Sequence, residues 1–402
     1  MSSTAAAARD AARTLRGRVA VVGIGETAYY KHGQAPEPEF KLVLRAILAA
    51  CADAGIAPHE IDGFASYANE RNDAVRLASA LGVTTLRTAT MQWGGGGGGV
   101  AAAVANGAAA IAAGLADCVV VHRGLAQGEF GRFGQTVGDN ALGGEMAWQM
   151  PYGVIAPPQK FALRVQRFLQ QHGIEAAAQR AIALACNHHA QANPRAVMHG
   201  RPLDAARYDA ARWIVEPFRL FDCCMENDGA AALLLMSAER ARHQRQAPVW
   251  LLGAAAGGGH RSGAVPHNAP DYASANQHGI AQAVYEMAGV QPADVGSVQC
   301  YENFTGAVVM ALSEHGFFAP EEANEFLQLH NLIAPDGRLP LNTSGGHLGE
   351  CYMHGMGLVL EAVRQVRGQS TSPARRRDVA LVIGAPLVTP TSSLLLGSEN
   401  AL

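Results

Sequence analysis

One stretch of this chain occurs twice, and the repeat narrows the possible architectures more than any other feature. Ala54-Gly-Ile-Ala-Pro-His-Glu-Ile-Asp-Gly-Phe-Ala-Ser-Tyr67 aligns without a gap with Ala288-Gly-Val-Gln-Pro-Ala-Asp-Val-Gly-Ser-Val-Gln-Cys-Tyr301. Glycine, aliphatic, proline and acidic positions coincide, and both segments end in tyrosine. Each leads on to a Gly-rich loop, a helical run and an apolar strand, Gly94–His122 in one case and Gly345–Gly384 in the other. The same elements in the same order point to duplication, so the chain is expected to fold as two similar halves.

Within the first half, Val19–Gly25 reads as a buried strand, Glu39–Ala54 as a helix, the region of Phe64 as a strand, the Ala-rich run Val100–Ala113 as a tightly packed helix and Cys118–His122 as another buried strand. That alternation predicts an α/β fold. The expected divisions are an N-terminal extension, 1–18; a first half, 19–123, carrying an insertion, 124–245; and a second half, 246–402. The insertion holds the Pro/Tyr/Gly-rich stretch Met150–Pro158 and helical runs over Lys160–Gln171 and Glu175–Ala192. Such a segment would cover a site or form a partner interface.

Charged residues make up 16% of the chain, against about 25% in typical globular proteins. A shortage of charge is expected where surface is hidden in an oligomer or against a partner. A net charge of −3 supplies no basic footprint for nucleic acid. The seven cysteines form no CxxC pair, which reads as reduced thiols in a cytoplasmic protein, and adjacent Cys223 and Cys224 read as small buried apolar groups. No apolar run approaches the length of a membrane span. His188-His189 has no third ligand nearby and reads as surface, so no metal site is expected.

Two polar, glycine-rich loops carry the candidate chemistry. One is Cys300-Tyr-Glu-Asn-Phe-Thr305 and the other Asn342-Thr-Ser-Gly-Gly-His-Leu-Gly-Glu-Cys-Tyr-Met-His-Gly355. Taken with Val19-Ala-Val-Val-Gly-Ile-Gly-Glu-Thr27, Pro217-Phe-Arg-Leu-Phe-Asp-Cys-Cys-Met-Glu-Asn-Asp-Gly-Ala-Ala231 and Leu339-Pro-Leu-Asn-Thr-Ser-Gly-Gly346, they make the chain resemble the thiolase superfamily. Within it the likeness is to the sterol-carrier-protein-type thiolases, over about residues 18–397. The resemblance implies a five-layered αβαβα fold, usually dimeric, acting on acyl-CoA thioesters.

The chain departs from thiolases where their chemistry resides. Where a thiolase carries its nucleophilic cysteine, this chain has Met91-Gln-Trp followed by Gly94–Gly99. The histidine of the last catalytic loop corresponds to Tyr352, the Asn or His of the other loop to Tyr301, and the C-terminal acid/base cysteine to Val382. Covalent acyl transfer needs an activatable thiolate, which glycine cannot supply.

A thioester held against N–H donors remains possible. Glycines before a helix allow close backbone approach, and the helix N-terminus favours an enolate oxygen, so Gly94, Gly95, Gly96, Gly97 and Gly346 are the candidate thioester-binding positions. The bland alternative is a flexible low-complexity loop. An enolate and two proton-transfer groups describe a retro-aldol reaction, and the pattern resembles the lipid-transfer-protein-like steroid side-chain aldolases. That resemblance makes Tyr301 and Tyr352 the proton-transfer pair, with His354 as a hydrogen-bonding or protonating neighbour. Glu302 and Asn303 would orient Tyr301 or cap the following helix. His347 is a weaker candidate, Cys351 a displaced alternative nucleophile, and Tyr67 a tyrosine without a catalytic role. No cofactor is expected beyond the CoA of the substrate. The resemblance also implies a homodimer and a small partner with a zinc ribbon and an OB-type fold. Two other functions stay open: an atypical thiolase, and a non-catalytic acyl-CoA or lipid-binding subunit.

Overall fold

The computed structural model describes residues 15–130, 146–260 and 271–402. Residues 1–14 of the expected extension lie outside the described residues. The extension is shorter than expected, because Arg16 and Gly17 already belong to the folded body. Gly17 N–H donates to the Leu251 carbonyl at 3.0 Å and Arg16 Nη2 to that of Ala401 at 2.9 Å.

The first half is built from β1 (Val19–Glu26), α1 (Glu39–Ala54), β2 (Gly63–Tyr67), β3 (Thr88–Gln92), α2 (Val100–Ala112) and β4 (Cys118–Ala126). The insertion supplies α3 (Pro157–His172) and α4 (Ala176–Ala192), and β5 (Asn227–Ser237) returns to the sheet. The last part of the segment expected as insertion is therefore a buried central strand. The second half contains β6 (Val249–Gly257), α5 (His278–Ala288), β7 (Ser297–Cys300), α6 (Thr305–Glu314), α7 (Met356–Arg367), β8 (Val379–Ile383) and β9 (Thr391–Gly397).

The duplication is visible in the strand order, β3-β2-β4-β5-β1 in one half and β7-β8-β9-β6 in the other. β2–β4 and β7–β8 are the matching parallel pairs. β4–β5 with β5–β1 and β8–β9 with β9–β6 are the matching antiparallel ones. β3 lacks a full counterpart: where the second half would place it, a single parallel bridge joins Val298 to Leu341. Pairing of Ala20 with Trp250 and Val21 with Val249 joins the two halves at β1 and β6.

β1, β4 and β5 are buried along nearly their whole length because both faces are covered by helices. α1 turns Leu42, Val43, Ala46, Ile47, Ala50 and Cys51 onto β1, β4 and β5, and stops at Gly55 with φ 80°. α2 and α7 touch strands of both halves and form the middle layer, while α5 covers β6 and β9. The alanines of α2 leave room for a sheet on either side. The layers thus run αβαβα, with the insertion helices α3 and α4 packed against α6. No helix among the described residues is long and apolar enough to cross a membrane.

Burial shapes the response to pH. Desolvation lowers His189 to about 3, His315 to about 4 and His347 to about 3, with His122 and His354 moved the same way. Below their ordinary value of about 6.5, the unfolded chain takes up protons that the folded chain refuses, so stability falls as pH drops. Burial also raises Glu302 to about 8 and lifts Glu350, Glu39 and Asp222. Above about 4.3 the unfolded chain releases protons that these folded acids keep, so stability falls as pH rises. In the overlap more histidines than acids are involved, and above it only the acids remain. Melting temperature is expected to peak between about pH 6 and 7; a midpoint still rising at pH 8 would contradict this.

Candidate active site

The N-termini of α2 and α7 face each other across Tyr301. A side chain at Gly355, which precedes α7, would meet Val100 Cγ1 at 3.1 Å and Tyr301 Cδ2 at 3.2 Å. Both helices direct the partial positive charge of their N-termini into this space, with Ala101 N–H taken up by Ser392 Oγ and Gly355 N–H by His347 Nε2.

Tyr301 and Tyr352 come together here. Their phenol oxygens are 2.7 Å apart and share a hydrogen bond in a buried setting. Tyr301 is held at the end of β7 by its N–H, which donates to the Ile383 carbonyl at 2.9 Å. Asn342 clamps the preceding residue, accepting Cys300 N–H on Oδ1 at 2.7 Å and donating from Nδ2 to its carbonyl at 2.9 Å. Tyr352 N–H donates to Asn227 Oδ1 at 2.9 Å.

The Pro217–Ala231 motif wires the two loops together. Cys224 N–H donates to the Asn303 carbonyl and Met225 N–H to the His347 carbonyl. Buried Asp222 accepts the hydroxyls of Tyr208 at 2.6 Å and of Thr305, the first residue of α6, at 2.5 Å. A motif noticed only as a likeness is thus the fastening of the site.

His347 belongs to the centre. Its ring lies 4.4 Å from that of Tyr301 and 5.1 Å from that of Tyr352. Nε2 accepts Gly355 N–H at 3.2 Å, which leaves the ring proton on Nδ1, 3.4 Å from Glu302 Oε2. Burial depresses His347 and raises Glu302, so the pair is neutral, with a proton on each. Glu302 therefore orients His347 and not Tyr301. Asn303 does not orient Tyr301 either: its Oδ1 accepts Phe304 N–H at 3.1 Å at the entry to α6.

His354 stands at the rim, 5.8 Å from the Tyr352 ring and 6.4 Å from that of Tyr301. Its φ of 54° is left-handed, a conformation uncommon outside glycine. The Tyr67 hydroxyl donates to its carbonyl at 2.9 Å. Tyr67, the repeat counterpart of Tyr301, thus supports the site from the other half. Burial is the first cause holding His354 below its ordinary value, followed by Arg123 and His347.

The glycine run divides in two. Gly94, Gly95 and Gly96 all have positive φ, from 52° to 75°. Gly94 and Gly95 abut Pro390, whereas a side chain at Gly96 would come 3.5 Å from His354 Nε2. One at Gly97 would fall 2.1 Å from Tyr301 Cε2 and 2.4 Å from its oxygen. Only Gly96 and Gly97 reach the reaction space. Gly346 does not: its N–H points to Ser344 Oγ at 3.5 Å, and any Cβ there would collide with Glu302 Oε1. It makes room for Glu302 and offers no donor to a thioester.

No thiol here is activated. Burial pushes Cys224 and Cys351 well above the ordinary thiol range, and neighbouring acids and thiols add to the shift. Val382 is a buried strand residue paired with Gln299 and Leu394. His188 is exposed as expected, but His189 is buried, its Nε2 accepting Ala334 N–H at 3.0 Å. Among the described residues no three His, Cys, Asp or Glu side chains gather as metal ligands.

A known group of proteins shares this frame. The chain is 35% identical to a steroid side-chain-cleaving aldolase of Thermomonospora curvata, covering 96% of this chain and 99% of that one. It is 36% identical to the 17-hydroxy-3-oxo-4-pregnene-20-carboxyl-CoA lyase of Mycobacterium tuberculosis, over 95% of this chain and all of the relative. The chain belongs to this aldolase family. Residues 258–396 match the thiolase C-terminal domain-like family. The solved Ltp2-ChsH2(DUF35) aldolase superposes with a TM-score of 0.88 at 34% identity, covering 96% of this chain and 99% of that one. The two phenols of this chain sit within that shared frame.

Proposed function

We propose that this chain cleaves the Cα–Cβ bond of a β-hydroxyacyl-CoA by a retro-aldol reaction. The substrate would carry a bulky β-substituent, of which a steroid side-chain thioester is the leading case. The observation that carries the reading is the buried 2.7 Å contact between two phenols in a site without an activated thiol.

Both phenols are held above the ordinary tyrosine range, chiefly by burial, so a standing phenolate is disfavoured. A relay avoids one. The β-hydroxyl proton passes to one phenol oxygen, the hydrogen bond between the phenols shifts, and the other phenol gives its proton to Cα. As the Cα–Cβ bond breaks, its electrons form the enolate that this proton quenches, and the hydroxyl carbon leaves as a ketone or aldehyde. The thioester oxygen would sit against the backbone around Gly96 and Gly97 at the start of α2; one well-placed donor there is worth about 3 kcal/mol. CoA enters only as part of the substrate.

Partners follow from the exposed edges. β3 is the edge strand of the first half, and Trp93 just beyond it is 85% exposed. An unpaired edge beside an exposed indole suits a second copy of this chain. The name of the solved relative couples it to a DUF35 component, and we assign this chain a partner as well, on the resemblance a small one with a zinc ribbon and an OB-type fold. The seven cysteines, all free, suit a reducing cytoplasm.

Incubation with a panel of β-hydroxyacyl-CoAs, from short aliphatic to steroidal, with and without such a partner, is the direct test. Mass spectrometry is expected to find a carbonyl product and a shortened acyl-CoA in equal amounts, without consumption of free CoA. Products that appear only when free CoA is added, or an acyl group covalently bound to the chain, would sink the reading in favour of a thiolase.

A further inference from the structure

A charged cluster is separated from Tyr352 by the rings of Tyr67 and His354, and the relay makes no use of it. Arg123, on β4, and Glu70, in the loop after β2, form an ion pair with Nη1 and Oε2 3.3 Å apart, each side chain 1% exposed. Such buried pairs contribute little to stability, since desolvation offsets attraction.

The two charges are unequally satisfied. Glu70 Oε1 accepts the N–H groups of Arg71 and Asn72, each at 2.9 Å, and Oε2 accepts Gly124 N–H at 2.9 Å in addition to Arg123. Arg123 Nη2 donates to Asn69 Oδ1 at 2.7 Å and Nη1 reaches the Tyr67 carbonyl at 3.5 Å, but Nε has no acceptor among the described residues. Surplus positive field therefore falls on the aromatic cluster. The guanidinium carbon is 5.7 Å from the Tyr67 ring centroid, Tyr67 bonds the His354 carbonyl, and the His354 ring lies 5.8 Å from that of Tyr352.

We propose that the Arg123–Glu70 pair is the electrostatic support of the phenol relay: the guanidinium, anchored by Glu70 and Asn69, favours negative charge on Tyr352 and so makes Tyr352 the phenol that receives the hydroxyl proton. Tyr301 then supplies the proton to carbon. The inference rests on the retro-aldol reading, and Arg123 and Glu70 act as positioning residues, through Tyr352.

The neighbouring groups agree in sign. Burial raises Tyr352, and Cys224 adds to that, whereas the Tyr301 hydrogen bond and Arg123 pull it down; the same bond pushes Tyr301 up. Tyr301, His347 and His354 ring Tyr352. Around Arg123 stand Tyr67, His122 on β4 itself, and Glu39 on α1 with Arg71 beside it. Burial keeps both His122 and His354 below their ordinary value, hence neutral, so neither competes with the guanidinium.

A fluorinated tyrosine of lowered intrinsic pKa, placed at position 352 and titrated by absorbance, reads the charge of that phenol without turnover. Arg123→Gln is expected to raise its pKa by about one unit, and Glu70→Gln, which unmasks the guanidinium, to lower it by about as much. In the unlabelled protein kcat is expected to fall about tenfold in Arg123→Gln, to hold in Arg123→Lys and to hold or rise in Glu70→Gln, with KM unchanged throughout. A purely structural pair would move both neutralising variants the same way; parallel losses, or an unchanged titration at position 352, would overturn the proposal. Should Arg123→Gln fail to fold, the direction of the Glu70→Gln titration decides alone. Because that titration needs no substrate, absence of turnover would count against the cleavage reading separately.

Discussion

Replacing Tyr352 with phenylalanine is expected to lower kcat by about 10²–10⁴-fold, the range for loss of a general acid or base, with KM nearly unchanged. The ring still fills its place against His347, 5.1 Å away, and His354, 5.8 Å away, so substrate binding should survive. What disappears is the oxygen 2.7 Å from the Tyr301 hydroxyl. That hydroxyl, in a 2% exposed residue, then loses its partner, at a cost of about 1–3 kcal/mol in stability. Tyr301→Phe should behave alike. The double variant should be scarcely slower than either single one, because groups acting as a unit are lost together. Steady-state kinetics with any cleaved thioester decides this: a Tyr352→Phe enzyme keeping more than about a tenth of kcat would exclude the relay.

A single methyl group should be nearly as damaging. Gly97→Ala places a carbon 2.1 Å from Tyr301 Cε2 and 2.4 Å from both Cζ and the phenol oxygen. The ring cannot swing aside, because His347 packs edge-on at 4.4 Å and Gly355 closes the other side. Either Tyr301 or the start of α2 has to shift. Overpacking of this kind costs about 1–3 kcal/mol, and a displacement of about 1 Å in a reacting group costs about 10²-fold in rate. The expected outcome is a folded protein with a lowered melting temperature and kcat down by about two orders of magnitude. Activity within fivefold of the parent would show that the glycine run does not set the position of Tyr301.

Much of this was legible in the residues because each signal was local. The ungapped repeat of Ala54–Tyr67 in Ala288–Tyr301 announced two halves, and the strand orders of the two halves repeat it pair by pair. Tyr301 and Tyr352 were recognisable from the loops that carry them. Other members of the site were hidden by distance along the chain. Asn227 holds the backbone of Tyr352 from 125 positions away, and Tyr67 holds His354 from 287 positions away. His347 looked like one more polar residue in a glycine-rich loop, and only its Nε2 bond to Gly355 and its approach to Glu302 make it central. Gly346 erred the other way: it shared the appearance of the glycines in the other half, but its space is taken by a carboxylate.

Composition, repeat and loop motifs determined the layered α/β frame, the absence of a nucleophilic thiol at the start of α2 and the presence of two phenols in the chemical loops, because those are properties of residue type and spacing. Tertiary structure alone decided that the phenols touch, which glycines face them, and that a buried guanidinium packs against Tyr67, the tyrosine that holds His354. Those facts depend on two helix N-termini meeting across a duplicated sheet. Contacts between halves are set by how the layers pack, and no local pattern encodes that packing.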